Sequence, residues 1–497
     1  MSVYSYGDGR VWYQRNKFET FELLLPYGFT NITDPVGTIA PVREPSASAR
    51  RASVIADLLR GEPGMPEFQI ETRLMKTLNL MFGLKKCAVN FQAHLGACDR
   101  PDNYYSSDVI LHWQKAFRGD MSIDRLAKID GDNAPVAIQV PWSAMVGPIL
   151  LDMNAEFVSA RTIAETEDVL GLAFLESECF EDCLAQEDAG KNGYAVTGVL
   201  SGSVTNVANV WYTDDKGETW AEVSSRPFAA GEDISSVVIL GTKTNHRVIV
   251  SRGTTDAGNP AEIAYADVST MGITDWVVAN VGAINGQYIH KLYWPDYRHL
   301  YALTDDGYVY LSVNGGSTWT AVLTTATEDL YDISGITSGE NAGILWVVGG
   351  SNVIYVSSDF GSTWDVIGGP SDGAGDDNLA VYMTPDGTVF VGNNAGELYG
   401  TYDFGASWHT LSAQGVTPTA INAIVGWGDF NIWVALDTAS GGRVVRSVDG
   451  GASFRLWNLN IPTNTGVNAL ANVDPNVVFV GGDDAFISKT KSTLIGV

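Results

Sequence analysis

The sequence predicts a mainly β protein, in which an N-terminal α+β domain is followed by a ring of seven four-stranded sheets. A short motif returns along the last three-fifths of the 497-residue chain, and this return predicts the ring. Its final aromatic position recurs at Trp276, Trp319, Trp364, Trp408 and Phe454, in steps of 43, 45, 44 and 46 residues. A period of about 40–45 residues is typical of the four-stranded blade of a β-propeller.

The repeat motif reads Ser/Thr-x-Asp-x-Gly-x-Ser/Thr-Trp and is typical of a hairpin turn. An Asp or Asn after a strand can accept hydrogen bonds from backbone N–H groups, Gly allows a positive φ, and the hydroxyl residues satisfy nearby backbone groups. The Trp is expected to cover the neighbouring strand. We assign this structural role, copy by copy, to Asp215, Gly217 and Trp220; Asn314, Gly316 and Trp319; Asp359, Gly361 and Trp364; Asp403, Gly405 and Trp408; and Asp449, Gly451 and Phe454.

The repeat motif resembles the Asp-box, also called the BNR repeat, of sialidases and sortilin-type receptors. In that family the box is a structural turn at the periphery of a blade and usually takes no part in catalysis. The resemblance implies that the four repeated aspartates are structural residues. We therefore expect no catalytic, cofactor-binding or metal-binding residue among them.

Pairs of strands can be read around each copy of the motif from their alternation and β-branched content. Seven such pairs lie between residues 190 and 497, which predicts a seven-bladed propeller over that range. The first sheet lacks an obvious inner strand and the last lacks the motif. We therefore expect strands from both ends of the domain to close the ring, which would protect the sheet edges.

Residues 1–185 carry no copy of the motif and are expected to form a separate α+β domain that drives assembly. Helical spacing of apolar residues predicts helices over 46–60 and 71–84. Strand-like runs lie at 88–94, 108–117, 135–140 and 148–157.

Composition limits the partners and the location of the protein. The chain has 58 acidic and 30 basic residues, a net charge of −28, which disfavours binding to nucleic acid phosphates and anionic membranes. Neither a signal peptide nor an apolar run long enough to span a membrane is recognisable. Neither cysteine pair, Cys87 with Cys98 or Cys179 with Cys183, comes with histidines at zinc-ligand spacing, so free thiols are expected.

Fragments of the N-terminal domain resemble virion structural proteins of long-tailed bacteriophages, in which a tube-forming, β-sandwich-like domain precedes a propeller. The fragments lie at residues 41–47, 61–66, 87–92 and 98–102. The resemblance implies a tail tube subunit, assembled in the host cytoplasm, that stacks as homo-oligomeric rings and displays its propeller outside. The implied partners are copies of the same chain and other virion proteins, with glycans of the host surface as a further candidate ligand.

A glycan-hydrolysing enzyme with an accessory N-terminal domain remains the alternative, because sialidases share the Asp-box. Their chemistry requires three arginines around a carboxylate substrate, together with a Tyr, a Glu and an Asp. The propeller region holds seven arginines, at positions 226, 247, 252, 298, 443, 446 and 455, and no motif marks three of them as a triad. We expect a structural protein that is not an enzyme and needs no cofactor.

Overall fold

 The computed structural model describes 22 segments of the chain. They are residues 10–14, 18–19, 21–25, 67–72, 89–95, 109–118, 138–153, 156–157, 161–162, 167–175, 190–198, 209–228, 233–242, 245–253, 261–279, 288–296, 298–324, 328–337, 341–370, 375–457, 461 and 465–491. These residues form strands and turns, without a helix among them. The chain divides into two compact units, and the described residues of the second run from Glu156 to Lys491.

The first unit contains a six-stranded antiparallel sheet with the order β2-β1-β4-β5-β6-β3. Its strands are β1 (Arg10–Gln14), β2 (Glu22–Leu25), β3 (Glu67–Thr72), β4 (Val89–Leu95), β5 (Val109–Arg118) and β6 (Ile138–Asp152). Successive side chains of a strand point to opposite faces of the sheet. On one face the rings of Phe91 and Trp142 meet edge to face at 4.6 Å.

The other face of this sheet buries polar side chains. The Gln92 amide nitrogen lies 2.9 Å from Nδ1 of His112, and its oxygen lies 3.1 Å from Nε2 of His94. All three side chains are buried. Hydrogen bonding offsets the desolvation of such groups, and the amide links two strands across this face.

Strand β6 continues through Pro141 and Pro148, and it therefore joins parts of the two runs that the sequence predicted separately, at 135–140 and 148–157. Pro141 pairs with Gln69 of β3, beyond the last residue that pairs with β5. Pro148 lies where the pairing of β6 with β5 shifts register, between the partners of His112 and Gln114. Proline is tolerated at such positions because no ladder hydrogen bond needs its missing N–H.

The predicted α+β character of the first unit is wrong for the residues that the structure describes. Glu71 and Thr72, the expected start of a helix, belong to strand β3, where Glu71 pairs with Gln139 and Thr72 with Ile138. Cross-strand pairing outweighs the helical spacing of apolar residues there. The helix expected over 46–60, and the remainder of the one expected over 71–84, lie outside the described residues, as do all four cysteines.

The second unit begins with two short strands, β7 (Glu156–Phe157) and β8 (Arg161–Thr162), and continues into seven sheets in the described part of the chain. The strands of the first three sheets are β9 (Asp168–Phe174), β10 (Gly193–Gly198), β11 (Val210–Thr213) and β12 (Ala221–Glu222); β13 (Asp233–Thr242), β14 (Asn245–Gly253), β15 (Ile263–Val268) and β16 (Val277–Val278); and β17 (Ile289–Tyr293), β18 (Leu300–Thr304), β19 (Tyr308–Ser312) and β20 (Thr320–Thr324).

The remaining four sheets are also antiparallel, except that β29 pairs with β33 in parallel. Their strands are β21 (Leu330–Ile336), β22 (Ile344–Gly349), β23 (Ile354–Ser357) and β24 (Asp365–Ile367); β25 (Asn378–Met383), β26 (Val389–Asn393), β27 (Leu398–Thr401) and β28 (His409–Leu411); β29 (Ala413–Gln414), β30 (Pro418–Trp427), β31 (Asn431–Thr438), β32 (Gly441–Ser447) and β33 (Phe454–Trp457); and β34 (Val467–Asn472), β35 (Val478–Gly482) and β36 (Phe486–Lys491).

The inner strands of successive sheets contact one another in a closed circle, in the order β9, β13, β17, β21, β25, β30, β34 and back to β9. The seventh sheet is completed by β7 and β8, which both pair with β36. Strands from both ends of the unit therefore meet in one sheet, as the sequence pattern led us to expect. The unit begins earlier than the expected boundary near residue 190, because β9 is the inner strand of the first sheet.

Candidate functional site

The repeat motif forms the same hydrogen-bonded turn in all five copies. In the fourth sheet, the Asp359 carboxylate accepts a hydrogen bond of 2.8 Å from the backbone N–H of Thr363 and one of 2.7 Å from its hydroxyl. The Ser357 hydroxyl donates to Asp359 and accepts from the N–H of Gly361. The other copies place Asp215, Asn314, Asp403 and Asp449 in the same contacts.

Two successive residues of each turn have positive φ. The sequence predicted a positive φ only for the second of them, the motif glycine. The motif glycines Gly217, Gly316, Gly361, Gly405 and Gly451 have φ between 74° and 90°. The residue before each is also left-handed: Lys216, Gly315, Phe360, Phe404 and Gly450. Non-glycine residues at these φ values carry backbone strain. Glycine in two of the five copies was the available sequence signal.

The hydrogen bonds of the turn set the protonation of its carboxylates. The hydroxyl and backbone N–H of Thr363 hold the pKa of Asp359 below its usual range, and those of Ser407 do the same for Asp403. Asp449 differs, because burial raises its pKa even though Ser453 and Ser447 donate to it. These carboxyl groups are engaged in hydrogen bonds within the turn.

The aromatic residue of each motif packs against the preceding sheet, and this gives the repeat its role in packing. Trp319 joins the core formed with Ile249 of the second sheet, and Trp408 meets Trp346 of the fourth sheet edge to face at 6.3 Å. Phe454 meets Phe390 of the fifth sheet at 6.4 Å. We had expected the aromatic to cover a neighbouring strand; the strand that it covers belongs to the neighbouring sheet.

A cavity of about 600 Å³ lies inside the circle of inner strands. The wall contains His290, Lys291, Asp332 and Asp437, whose side chains can carry a charge, together with the tyrosines Tyr288, Tyr293 and Tyr331. None of the wall residues is an arginine. A cavity of this size can accept a small group or the side chain of a partner.

Tyr288, His290 and Tyr331 form an aromatic cluster at one end of this cavity. The His290 ring lies 4.8 Å from that of Tyr288 and 4.8 Å from that of Tyr331, which it meets edge to face. Burial lowers the pKa of His290 to about 4, so the imidazole is neutral near pH 7. Its Nε2 atom is buried and has no hydrogen-bond partner among the described residues.

The inner strands begin at the same end of the cavity, as their cross-sheet contacts show. Asp332 and Ser334 of β21 accept hydrogen bonds of 2.9 Å from the backbone N–H groups of Val381 and Met383 of β25. The residue numbers of the bonded partners increase together in β21 and β25, so the two strands run in the same direction. Residues just before these strands therefore gather around one mouth.

Acidic residues surround this mouth, and we name them the acidic rim: Asp233, Asp305, Asp306, Asp329 and Asp377. Burial raises the pKa of Asp329, a hydrogen bond from Tyr331 opposes the shift, and the charges of Asp305, Asp377 and Asp306 add to it. Burial also raises the pKa of Tyr288, with Asp233 and Asp305 adding to the effect. Asp305 accepts a hydrogen bond of 3.1 Å from the backbone N–H of Tyr288, and Asp329 accepts one of 3.3 Å from the hydroxyl of Tyr331. Both carboxylates therefore lie beside the aromatic cluster, where their like charges favour a cation.

One lysine partly neutralises the negative charge inside the cavity. The ammonium of Lys291 lies 3.2 Å from Oδ1 of Asp332, and the Lys291 side chain is 43% exposed. This ion pair links the inner strands of the third and fourth sheets. Among the described residues, no group of three or more potential ligands is arranged to hold a metal ion.

At least three of the six histidines make contacts that the sequence does not indicate. His94 and His112 share the side chain of Gln92. His290 lies in the cavity wall between two tyrosines, and no motif marked it. Its neighbour Tyr331 belongs to the next sheet, so only the fold brings the two together.

The arginines considered for a carboxylate-binding triad are dispersed. Arg247 binds Asp267 and the carbonyl of Gly315, and Arg252 pairs with Glu262. Arg446 is buried beside the rings of Trp433 and Trp457. The described arginines do not converge on the cavity.

The sequence matches no protein family and none of the curated proteins with which it was compared. Solved structures do resemble it. YCF48 bound to a D1 peptide has a TM-score of 0.50 at 14% identity and covers 68% of this chain and 99% of its own. YCF48 from Cyanidioschyzon merolae has a TM-score of 0.49 at 14% identity and covers 67% of this chain and 99% of its own. The WD40 β-propeller domain of Doa1 has a TM-score of 0.48 at 11% identity and covers 69% of this chain and 99% of its own.

At this identity the likeness to the first structure shows the fold alone. The described residues contain no helix that could span a membrane. The seven sheets, their contacting inner strands and this similarity together show that the chain contains a β-propeller fold.

Proposed function

We propose that this chain is a self-assembling structural subunit whose second unit is a non-catalytic, seven-bladed binding propeller built on Asp-box turns. The class of assembly that we propose is the tail tube of a bacteriophage virion. The observation that carries self-assembly is the six-stranded sheet, whose outer strands β2 and β3 each pair on one side only among the described residues. Unpaired strand edges can add strands from another chain.

The β3 edge has a definite hydrogen-bonding direction. Pro141 has no N–H, so its pair with Gln69 is of the non-hydrogen-bonded type, in which the N–H of Gln69 points away from β6. The N–H groups of Glu67 and Glu71, two residues away on either side, point the same way. This edge therefore offers a row of donors and acceptors to a second copy of the chain.

The role of a binding module is supported by the cavity inside the circle of inner strands. The similar structure of YCF48 is described as bound to a peptide. We propose that this propeller likewise contacts a polypeptide. Hydrolysis of sialyl glycans would require an arginine triad, which the positions of Arg247, Arg252 and Arg446 disfavour.

Sedimentation velocity of the full-length protein with Gln69→Pro tests the self-assembly proposal. Salt should favour assembly of the wild type, because the screening length falls to about 3 Å at 1 M salt and weakens the repulsion between acidic copies. Gln69→Pro removes one outward N–H and should reduce assembly. Gln69→Ala keeps that N–H and is the matched control.

Loss of assembly in Gln69→Pro, with retention in Gln69→Ala, would support pairing at this edge. Equal assembly of both variants would exclude the β3 edge as the interface. A wild type that remains monomeric at every salt and protein concentration would overturn the self-assembly proposal itself. Turnover of a sialyl or β-glucan substrate, abolished by one propeller substitution, would favour the enzyme instead.

A further inference from the structure

The mouth of the central cavity combines two features that point to one kind of ligand. The acidic rim supplies five carboxyl groups from four successive sheets or from the segments that join them. Just inside it, the buried Nε2 atom of His290 has no hydrogen-bond partner among the described residues. A buried polar atom without a partner is unfavourable, and a ligand that hydrogen-bonds to it would relieve that cost.

The neighbouring rings also favour a cation. Tyr288 and Tyr331 flank His290 and line the cavity with it. The faces of aromatic rings attract ammonium and guanidinium groups, and carboxylates strengthen this attraction through charge-assisted hydrogen bonds. A neutral imidazole can accept a hydrogen bond from such a donor.

The cavity is narrow enough to select a side chain rather than a folded domain. Its volume of about 600 Å³ lies within the range of sites that enclose small ligands. Lysine and arginine carry a charged head on a flexible apolar stem, which suits a polar mouth that leads into a partly apolar wall. The wall includes Leu292 and Leu379.

We propose that the acidic rim and His290 form a docking site for a lysine or arginine side chain of a partner polypeptide. The head group enters between Tyr288 and Tyr331 and donates to Nε2 of His290. Carboxylates of the rim, including Asp306 and Asp329, hold its charge. This inference rests on the proposed binding role of the propeller, and it does not depend on self-assembly.

Fluorescence anisotropy with a labelled six-lysine peptide tests the site in the full-length protein. Asp306→Asn with Asp329→Asn removes two charges from the rim. Asp275→Asn with Asp365→Asn removes two exposed charges elsewhere and is the matched control. We expect the rim variant to weaken binding about tenfold, which corresponds to about 1.4 kcal/mol, and the control to change it less than about twofold.

His290→Phe separates a specific site from general attraction, because it leaves the net charge at pH 7 unchanged. We expect it to weaken peptide binding about fivefold or more, through loss of the acceptor and filling of the cavity. A labelled six-glutamate peptide should not bind. Thermal melting of each variant verifies that the protein is folded.

Equal losses in the rim and control variants would show attraction by the overall charge and overturn the proposal. Unchanged binding in folded His290→Phe would exclude the cavity. If His290→Phe does not fold, the paired charge variants still decide the result. Peptide binding can be measured whether the protein is monomeric or assembled. Loss of the docking site can therefore be distinguished from loss of self-assembly.

Discussion

The hydroxyl of Tyr301 donates a hydrogen bond of 2.8 Å to the backbone carbonyl of Phe360. Tyr301 lies on β18 of the third sheet, and Phe360 lies in the repeat motif of the fourth. The same tyrosine would meet a Cβ atom added at Gly361 at 3.1 Å. The repeat motif is therefore a joint between successive sheets as well as a turn within one.

Replacement of the motif tryptophans tests this joint. Trp319 is 8% exposed and packs against the second sheet, whereas Trp408 is more exposed. We expect Trp319→Ala to lower the free energy of unfolding by about 3–5 kcal/mol and Trp408→Ala to lower it by less. Chemical denaturation measures both, and a larger loss in Trp408→Ala would contradict the packing account.

The two left-handed positions of one turn should respond differently to substitution. Gly217→Ala places a methyl group 2.7 Å from the ring of Phe479 at a φ of 74°. We expect a loss of about 2–4 kcal/mol from the combined overpacking and backbone strain. Lys216→Gly should change stability by less than about 1 kcal/mol, because glycine relieves the strain at that position.

Thermal or chemical melts of both variants check this pair. Gly315 and Gly450 occupy the equivalent of Lys216 in other copies, so the turn accommodates glycine there. A loss in Lys216→Gly that equals the loss in Gly217→Ala would contradict the proposed difference.

Asp449 and Asp359 should give stability profiles of opposite sign with pH. Burial raises the pKa of Asp449 in the folded protein, so its contribution to stability falls as pH rises from about 4 through that raised pKa. Hydrogen bonds lower the pKa of Asp359, so its contribution is present above about pH 4 and is lost as pH falls through the lowered pKa.

Asparagine at each position measures these contributions, because Asn314 already makes the same turn contacts. From pH 4 to pH 7, Asp449→Asn should gain stability relative to the wild type. Asp359→Asn should be less stable than the wild type at pH 7, with a smaller difference at pH 3. Denaturation at several pH values tests both variants. If the stability of both variants relative to the wild type changed in the same direction with rising pH, the opposite pKa shifts of Asp449 and Asp359 would be contradicted.

The boundary of the propeller can be tested with two fragments. Residues 156–497 include the closing strands β7 and β8 and the inner strand β9, whereas residues 190–497 lack all three. We expect the longer fragment to melt cooperatively and the shorter one to aggregate, because its first and seventh sheets have exposed edges. A shorter fragment that melts at the same temperature would show that these strands are dispensable.

The repeating parts of the fold were predictable, and the parts that depend on distant contacts were not. The motif spacing indicated the sheets because each turn is specified by a few local residues, as in Asp359 with Thr363. The strand at Glu156–Phe157 lies within the strand-like run at 148–157, but its closing role has no local signal, because its partner Thr490 lies at the other end of the unit. Helical spacing at Glu71 was misleading because pairing with β6 decides that segment.

The candidate site was hidden from sequence reasoning for the same reason. His290 and Tyr331 lie on inner strands of different sheets, and no short motif contains both. Asp329 and Asp377 likewise approach one another only because their strands begin at the same end of the cavity. The acidic composition predicted that binding to nucleic acid and anionic membranes is disfavoured, and the fold decides where the carboxylates are concentrated.

Negative-stain electron microscopy of the purified full-length protein, at low and high salt, tests the central claim of a self-assembling subunit most directly. The account predicts rings or tubes, more abundant at high salt, because screening weakens the repulsion between acidic copies. Compact single particles at every salt and protein concentration would contradict it.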